Sequence, residues 1–188
     1  ECYASLFEPR AIFYRQENKF DDFKVGLAVP VQQMIQSEVS GIMFTVNPVT
    51  NAKNEIVIEA VWGLGEMIVQ GEVTPDRYLV NKNTLEIIDK EINKQTVQLT
   101  MVDTITKKAK VSSSLESRQK ISDKMIIEVA RLGKKLHQHY FFPQDSEWAV
   151  VKDKLYVVQT RPITTLEKQE AGSKKQEEEE KNRKKTII

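Results

Sequence analysis

Apolar and polar positions change their period several times along the chain, and each change marks an expected element. Over residues 1–20, Leu6, Ala11, Ile12 and Tyr14 recur at near-helical steps among charged residues that include Arg10 and Arg15, which predicts helix. The run Lys24-Val-Gly-Leu-Ala-Val-Pro-Val-Gln-Gln-Met-Ile35 is rich in branched side chains and predicts a strand, confined to an edge or a bend by Pro30. Residues 41–46 predict another strand, stopped by Asn47-Pro48, and after a turn at 51–54 a third strand follows over 55–62. Gly63-Leu-Gly65 breaks that strand, and residues 66–70 read as a short helical turn. Residues 76–82 and 84–92 alternate as a hairpin about Asn81-Lys-Asn83, and 95–101 adds a further strand. Residues 103–120 are polar and rich in Lys and Ser, which predicts a surface excursion.

The clearest helix spans 122–140. Ser122 can cap it, Asp123 complements the positive end of its dipole, and Met125, Val129, Leu132 and Leu136 line one face. Phe141-Phe-Pro143 ends it, and residues 147–151 and 154–159 pair as a hairpin around Lys152-Asp153. After Thr165 the pattern stops. Residues 167–185 carry no aromatic and almost no apolar side chain, and the acidic run Glu177 to Glu180 is followed by Lys181, Arg183, Lys184 and Lys185. This reads as a charged, solvated tail over 166–188 attached to one domain over 1–165.

Composition narrows the function classes. With 188 residues and 40% hydrophobic content the chain can build one modest core. Lys plus Arg number 28 and Asp plus Glu 27, for a net charge of +1, which argues against a general nucleic-acid binder. Nothing resembles an apolar run of about 18 residues, so no membrane span is expected, nor is there a basic-then-apolar secretory start. The single Cys2 forms no internal disulfide and fits a reducing, cytoplasmic setting. The chain opens at Glu1 in a dense mixed segment, as expected of a piece of a longer polypeptide.

Three constellations could carry chemistry. In Asp145-Ser-Glu147 and Gln159-Thr-Arg161, a carboxylate and an amide oxygen on paired strands are hard ligands suited to Mg²⁺. Arg161, two residues beyond Gln159, projects to the same face and could grip a phosphate. The plain alternative is an ordinary polar strand pair. In Gly63-Leu-Gly65-Glu66, glycines allow close backbone approach to a ligand and Glu66 could face a metal or begin a helix, although taken alone a plain turn is the better reading. It is neither a Walker loop nor a dinucleotide fingerprint. In Val31-Gln-Gln-Met-Ile35, a strand edge could meet an adenine; a core strand is the alternative. His137 and His139, two apart on a helix, do not share a face and read as surface or helix-end residues.

Taken in order, several segments resemble the phosphoenolpyruvate synthase (pyruvate, water dikinase) family. They are Ala4-Ser-Leu-Phe7, Arg10-Ala-Ile12, Tyr14-Arg15, Val31-Gln-Gln-Met34 and Ser40-Gly-Ile-Met-Phe-Thr-Val-Asn-Pro48. Trp62-Gly-Leu-Gly-Glu66, Gly71-Glu-Val-Thr-Pro-Asp-Arg77, Glu147-Trp-Ala149 and Leu155-Tyr-Val-Val-Gln-Thr-Arg-Pro162 complete the set. The resemblance covers residues 1 to about 165. It implies an α+β fold, the C-terminal subdomain of an ATP-grasp domain, with a mostly antiparallel sheet and packed helices. It also implies Glu147 and Gln159 as Mg²⁺ ligands against the phosphates of ATP, and Arg161 as the residue that stabilises the transferred phosphoryl. Glu66 would lie near the phosphates, Gln33, Met34 and Ile35 by the adenine, and Asp145 on the phosphate side or behind the ligands.

Such enzymes phosphorylate a histidine on a mobile domain on the way to phosphoenolpyruvate. The expected partners are therefore ATP, an N-terminal ATP-grasp half, a phosphohistidine domain and a pyruvate-binding domain. Alternatives are the same nucleotide domain in a pyruvate phosphate dikinase, glucan water dikinase or rifampin phosphotransferase, or a non-catalytic assembly module using the charged tail. The wording of Trp62-Gly-Leu-Gly-Glu66 favours the synthase over the phosphate dikinase. Because residues 167–185 offer nothing to bury, truncation after Thr165 is expected to leave the thermal midpoint nearly unchanged; a drop of several degrees in a melting curve would show that the tail packs.

Overall fold

The computed structural model describes residues 2–22, 24–103 and 105–163, so the tail expected over 166–188 lies outside the described residues. The chain divides between Met34 and Ile35 into two units. In the first, a 3₁₀ turn (Tyr3–Phe7) leads into helix α1 (Pro9–Glu17). Pro9 suits the start of a helix, where its missing N–H costs nothing. Arg15 is buried, and its Nε donates to Asp22 Oδ1 at 2.5 Å. The strand expected over 24–35 does not form. Residues 25–34 are irregular and Val25, Leu27, Val31 and Met34 are exposed. Branched residues favour a strand only when a neighbouring strand supplies hydrogen bonds and packing, and no described strand pairs with this run.

The second unit holds the regular structure. Its elements are β1 (Val39–Phe44), β2 (Glu55–Trp62), α2 (Glu66–Val69), β3 (Asp76–Asn81), β4 (Ile87–Glu91), β5 (Val97–Val102), β6 (Ile105–Lys110), α3 (Asp123–Tyr140), β7 (Gln144–Val151) and β8 (Lys154–Pro162). Six strands form one sheet in the order β4-β3-β2-β1-β7-β8, with every neighbour antiparallel. The architecture is α+β with a mostly antiparallel sheet, as the sequence predicts. No helix among the described residues is long and apolar enough to cross a membrane.

Helix α3 covers one face of that sheet. Ser122 caps it by accepting the Met125 N–H at 3.2 Å, and Phe141 closes it in the left-handed conformation. Its buried residues, Met125, Ile126, Val129, Ala130 and Gly133, meet Met43, Ile58, Tyr78, Val80 and Trp148. Gly133 is required by close approach: a Cβ there would lie 2.5 Å from the Met43 sulfur. His139 is exposed, but His137 turns inward. Its Nδ1 lies 3.0 Å from Thr45 Oγ1, whose oxygen accepts the Gln144 N–H at 2.8 Å. Burial, with Lys82 nearby, pushes the His137 pKa down and favours the neutral ring.

The excursion expected over 103–120 contains a strand instead. β6 pairs with β5 in a separate two-stranded sheet. The strand is hard to read because Lys107, Lys108 and Lys110 sit on a ribbon exposed to solvent. The excursion returns to the main sheet through a buried ion pair. Asp76 and Lys120 have fully buried side chains, with Lys120 Nζ 2.5 Å from Asp76 Oδ1. The same carboxylate accepts Tyr78 Oη–H at 2.8 Å, the Asn93 N–H at 2.9 Å and the Lys120 N–H at 3.0 Å, and Lys120 Nζ also donates to Asn93 O. Burial and this carboxylate push the Tyr78 phenol well above its ordinary range. Removing one partner strands the other charge without solvent. Asp76→Ala is therefore expected to destabilise the fold by about 3–5 kcal/mol in urea titration; a loss below about 1 kcal/mol, the size of an exposed pair, would contradict this.

Candidate functional site

The face of the sheet opposite α3 is partly open, with Val57 and Val61 buried on it but Gln159 and Arg161 exposed, and its polar residues are arranged by strand register. Glu147 on β7 lies opposite Gln159 on β8, and Asp145 lies opposite Arg161. Across β7 and β1, Glu147 pairs with Ile42; Ile42 then pairs with Glu59, and Glu59 with Arg77. Directly paired residues share a face. One row therefore runs Arg77, Glu59, Ile42, Glu147, Gln159, and the next runs Leu79, Val57, Phe44, Asp145, Arg161. The alternating positions, Ile58, Met43, Ser146 and Trp148, are buried on the side of α3.

This register depends on a bulge. Lys152 and Asp153 both have positive φ, 48° and 60°, as a two-residue hairpin turn requires. Counting from that turn, Leu155 meets Val150, Tyr156 meets Ala149 and Val157 meets Trp148; then the register shifts and Glu147 meets Gln159. An unbroken ladder would set Val158 opposite Glu147 and turn Gln159 and Arg161 toward α3. One extra residue reverses the side-chain parity of the rest of the strand. On the far side, Ser146 Oγ lies 2.9 Å from Thr160 Oγ1, which donates to Gln144 Oε1 at 3.2 Å, and these bonds hold the shifted register.

The charges on the open face are unevenly satisfied. Arg161 donates through Nε and Nη2 to Asp145 Oδ2, both at 2.8 Å. The side chains of Glu147 and Gln159, by contrast, make no hydrogen bond or ion pair with any described residue, and neither does that of Glu59. Burial raises the Glu59 pKa; Arg77 on the next strand opposes that rise and Asp145 adds to it. No three His, Cys, Asp or Glu side chains among the described residues converge on a metal position. The direct donors available are one carboxylate and one amide oxygen, a set that fits Mg²⁺, since that ion keeps several waters and takes its other ligands from phosphate.

The glycine loop closes one end of this face. Gly63 has φ 80°, and a Cβ there would lie 2.2 Å from Leu99 O. Its carbonyl accepts Ser40 Oγ–H at 2.7 Å and Ser37 Oγ–H at 3.0 Å, and its N–H donates to Glu38 O at 2.8 Å. Gln95, fully buried, accepts the Trp62 N–H at 2.9 Å and donates to Trp62 O and Val97 O at 3.1 and 2.9 Å. Ser40 stands two residues before Ile42 on the open face, so the loop folds over the Val39 end of the row. Glu66 begins α2 at this rim, where it is exposed and accepts Gln70 Nε2–H at 2.8 Å.

The structure thus brings Asp145, Glu147, Gln159 and Arg161 onto one face, with Glu66 at its edge. Gln33 and Met34 belong to the first unit, in irregular and exposed chain, and Ile35 opens the second. Sequence reasoning missed Glu59, Arg77 and Gln95. For Glu59 a signal existed, a charge at the centre of the otherwise apolar run Ile56 to Trp62.

Comparison with known proteins gives the arrangement its context. Residues 1–182 match the family model for the pyruvate phosphate dikinase AMP/ATP-binding domain. Over 169 residues, 89% of the chain, it is 50% identical to a probable phosphoenolpyruvate synthase of Methanocaldococcus jannaschii, covering 14% of that protein. It is 50% identical over 177 residues to the phosphoenolpyruvate synthase of Pyrococcus furiosus, covering 22% of it. A rifampicin phosphotransferase of Bacillus subtilis is 40% identical over 167 residues, 19% of its length. The chain spans less than a quarter of each of these relatives, and it belongs to the pyruvate phosphate dikinase AMP/ATP-binding domain family.

Proposed function

We propose that this chain supplies the metal and phosphate side of an ATP-grasp site in a phosphoenolpyruvate synthase-like enzyme. The observation that carries the reading is the pair Glu147 and Gln159, set directly opposite each other by the bulge and left without protein partners, with Arg161 beside them. Glu147 is half-buried and Gln159 exposed, so both oxygen donors stand open to a ligand and are not committed to holding the fold together. Glu147 and Gln159 would hold Mg²⁺. When bound, the ion polarises phosphate oxygens and neutralises their charge. Arg161 meets the phosphoryl being transferred, and Asp145 sets the plane of its guanidinium. Glu66 takes the phosphate-side rim. Positioning and charge stabilisation of this kind are most of what phosphoryl transfer needs from a protein.

In the whole enzyme the phosphoryl would pass to a histidine on a mobile domain and then, with water consumed, to pyruvate. This would occur in the cytoplasm and in the direction of gluconeogenesis. The rifampicin phosphotransferase relative supports a second reading, in which the same nucleotide site serves another acceptor, since the acceptor would be chosen by segments outside this chain. A purely structural module is disfavoured by the unpartnered pair.

The isolated chain is expected to transfer no phosphoryl and to bind Mg·ATP only weakly, because an ATP-grasp site is a clasp and this chain is one jaw. Losing two or three charge-assisted hydrogen bonds of about 1.5–3 kcal/mol each weakens binding by several powers of ten. In calorimetric titration at millimolar Mg·ATP, weak binding should require the metal and disappear in Glu147→Gln and Gln159→Ala. Binding indifferent to both substitutions contradicts the site; micromolar affinity abolished by Gln159→Ala would mean that one jaw suffices.

A further inference from the structure

Glu59 is a charged residue of the open face whose burial is offset only by the cross-strand attraction of Arg77. It stands at the centre of β2, with strands on both sides, in the same cross-strand row as Glu147 and Gln159. It is half-buried, and its side chain makes no hydrogen bond or ion pair with any described residue. Its neighbours in the row are Arg77 on one side and the apolar Ile42 on the other. A glutamine, threonine or valine would satisfy this strand position at lower cost, since burying a carboxylate without a partner is unfavourable. Several other shielded charges of this fold are paired: Asp76 with Lys120, Asp145 with Arg161, Arg15 with Asp22.

We infer that Glu59 is a positioning residue of the proposed metal site, holding a water of the ion's hydration shell from the side opposite Gln159. The inference rests on the reading of Glu147 and Gln159 given above. Two strand spacings separate Glu59 from Glu147, about 9.6 Å at the backbone. That span leaves room between the two carboxylates for an ion together with a water of its shell. The gap fits an ion held by Glu147 that reaches Glu59 through one of its own waters. Mg²⁺ suits this arrangement because it dehydrates reluctantly and keeps several waters when bound. The uncharged Ile42 between the two carboxylates leaves that gap free of a competing cation, while Arg77 limits the cost of the charge when no ion is present.

The test uses Mn²⁺ alone as the probe, with free ion followed by its electron paramagnetic resonance signal, and a thermal melt of each variant without metal. Glu59→Gln is expected to weaken Mn²⁺ binding about tenfold, the loss typical of partners that act through a metal's ligands. It should also raise the thermal midpoint, because a costly unpaired charge is removed. Glu59→Asp, which keeps the carboxylate on a shorter stem, should recover part of the affinity. A merely structural glutamate would give the opposite melt, with Glu59→Gln less stable and Mn²⁺ affinity unrelated to charge at position 59. If Glu147→Gln loses Mn²⁺ while Glu59→Gln binds like the unaltered chain, the inference about Glu59 fails and the site stands. If neither substitution changes Mn²⁺ binding, both fail.

Discussion

The site depends on a single inserted residue in β8. Strand pairing alternates side chains between two faces, so whichever residue meets Glu147 decides the face of everything beyond it. The tight turn at Lys152 and Asp153 fixes one parity, and the register shift next to Glu147 imposes the other. The bonds from Thr160 to Ser146 and Gln144 keep the shift from relaxing. As a result the polar residues of β8 face outward with Glu147, and small hydroxyl residues face the core, where they satisfy each other.

That division of labour extends across the sheet. One face is closed by α3 and filled with Met43, Ile58, Tyr78 and Trp148, which provides the stability that lets the other face carry unsatisfied polar groups. The loop beside that second face is held from several directions. Ser37, Ser40 and Gln95 fix the backbone at Trp62 and Gly63, and Leu99 O accepts the Leu64 N–H at 2.9 Å. Asp76 and Lys120 then pin the far end of the β5–β6 excursion to β3. The backbone around the row is thus set before any ligand arrives, which is what charge stabilisation by fixed groups requires.

Much of this was legible in the sequence where a local rule governs. The capped helix α3, strand β2 and the hairpin turn at Lys152 and Asp153 follow from periodicity, a cap and a turn. The strand wrongly expected over 24–35 shows the limit of propensity, since branched residues there find no pairing strand. β6 was hidden for the converse reason: a lysine-rich ribbon lacks the apolar alternation that marks a strand. The placement of Glu147, Gln159 and Arg161 on one face was anticipated from strand pairing and spacing, but a simple count from the turn gives the wrong parity, and only the register shift restores it. Bulges leave little trace in a single sequence. Glu59, Arg77 and Gln95 matter only through cross-strand neighbours and long-range bonds, which no local pattern reveals.

If Glu147 and Gln159 hold the metal, a divalent cation should bind the open face of the six-stranded sheet, and not the face beneath α3 or the acidic run Glu177 to Glu180. Paramagnetic broadening of backbone amide signals by substoichiometric Mn²⁺ reads that location residue by residue. Broadening centred on Glu147 and Gln159 and reaching Ile42 and Glu59 across the row is the predicted result. Broadening confined to residues 177–180, or centred on α3, would contradict it.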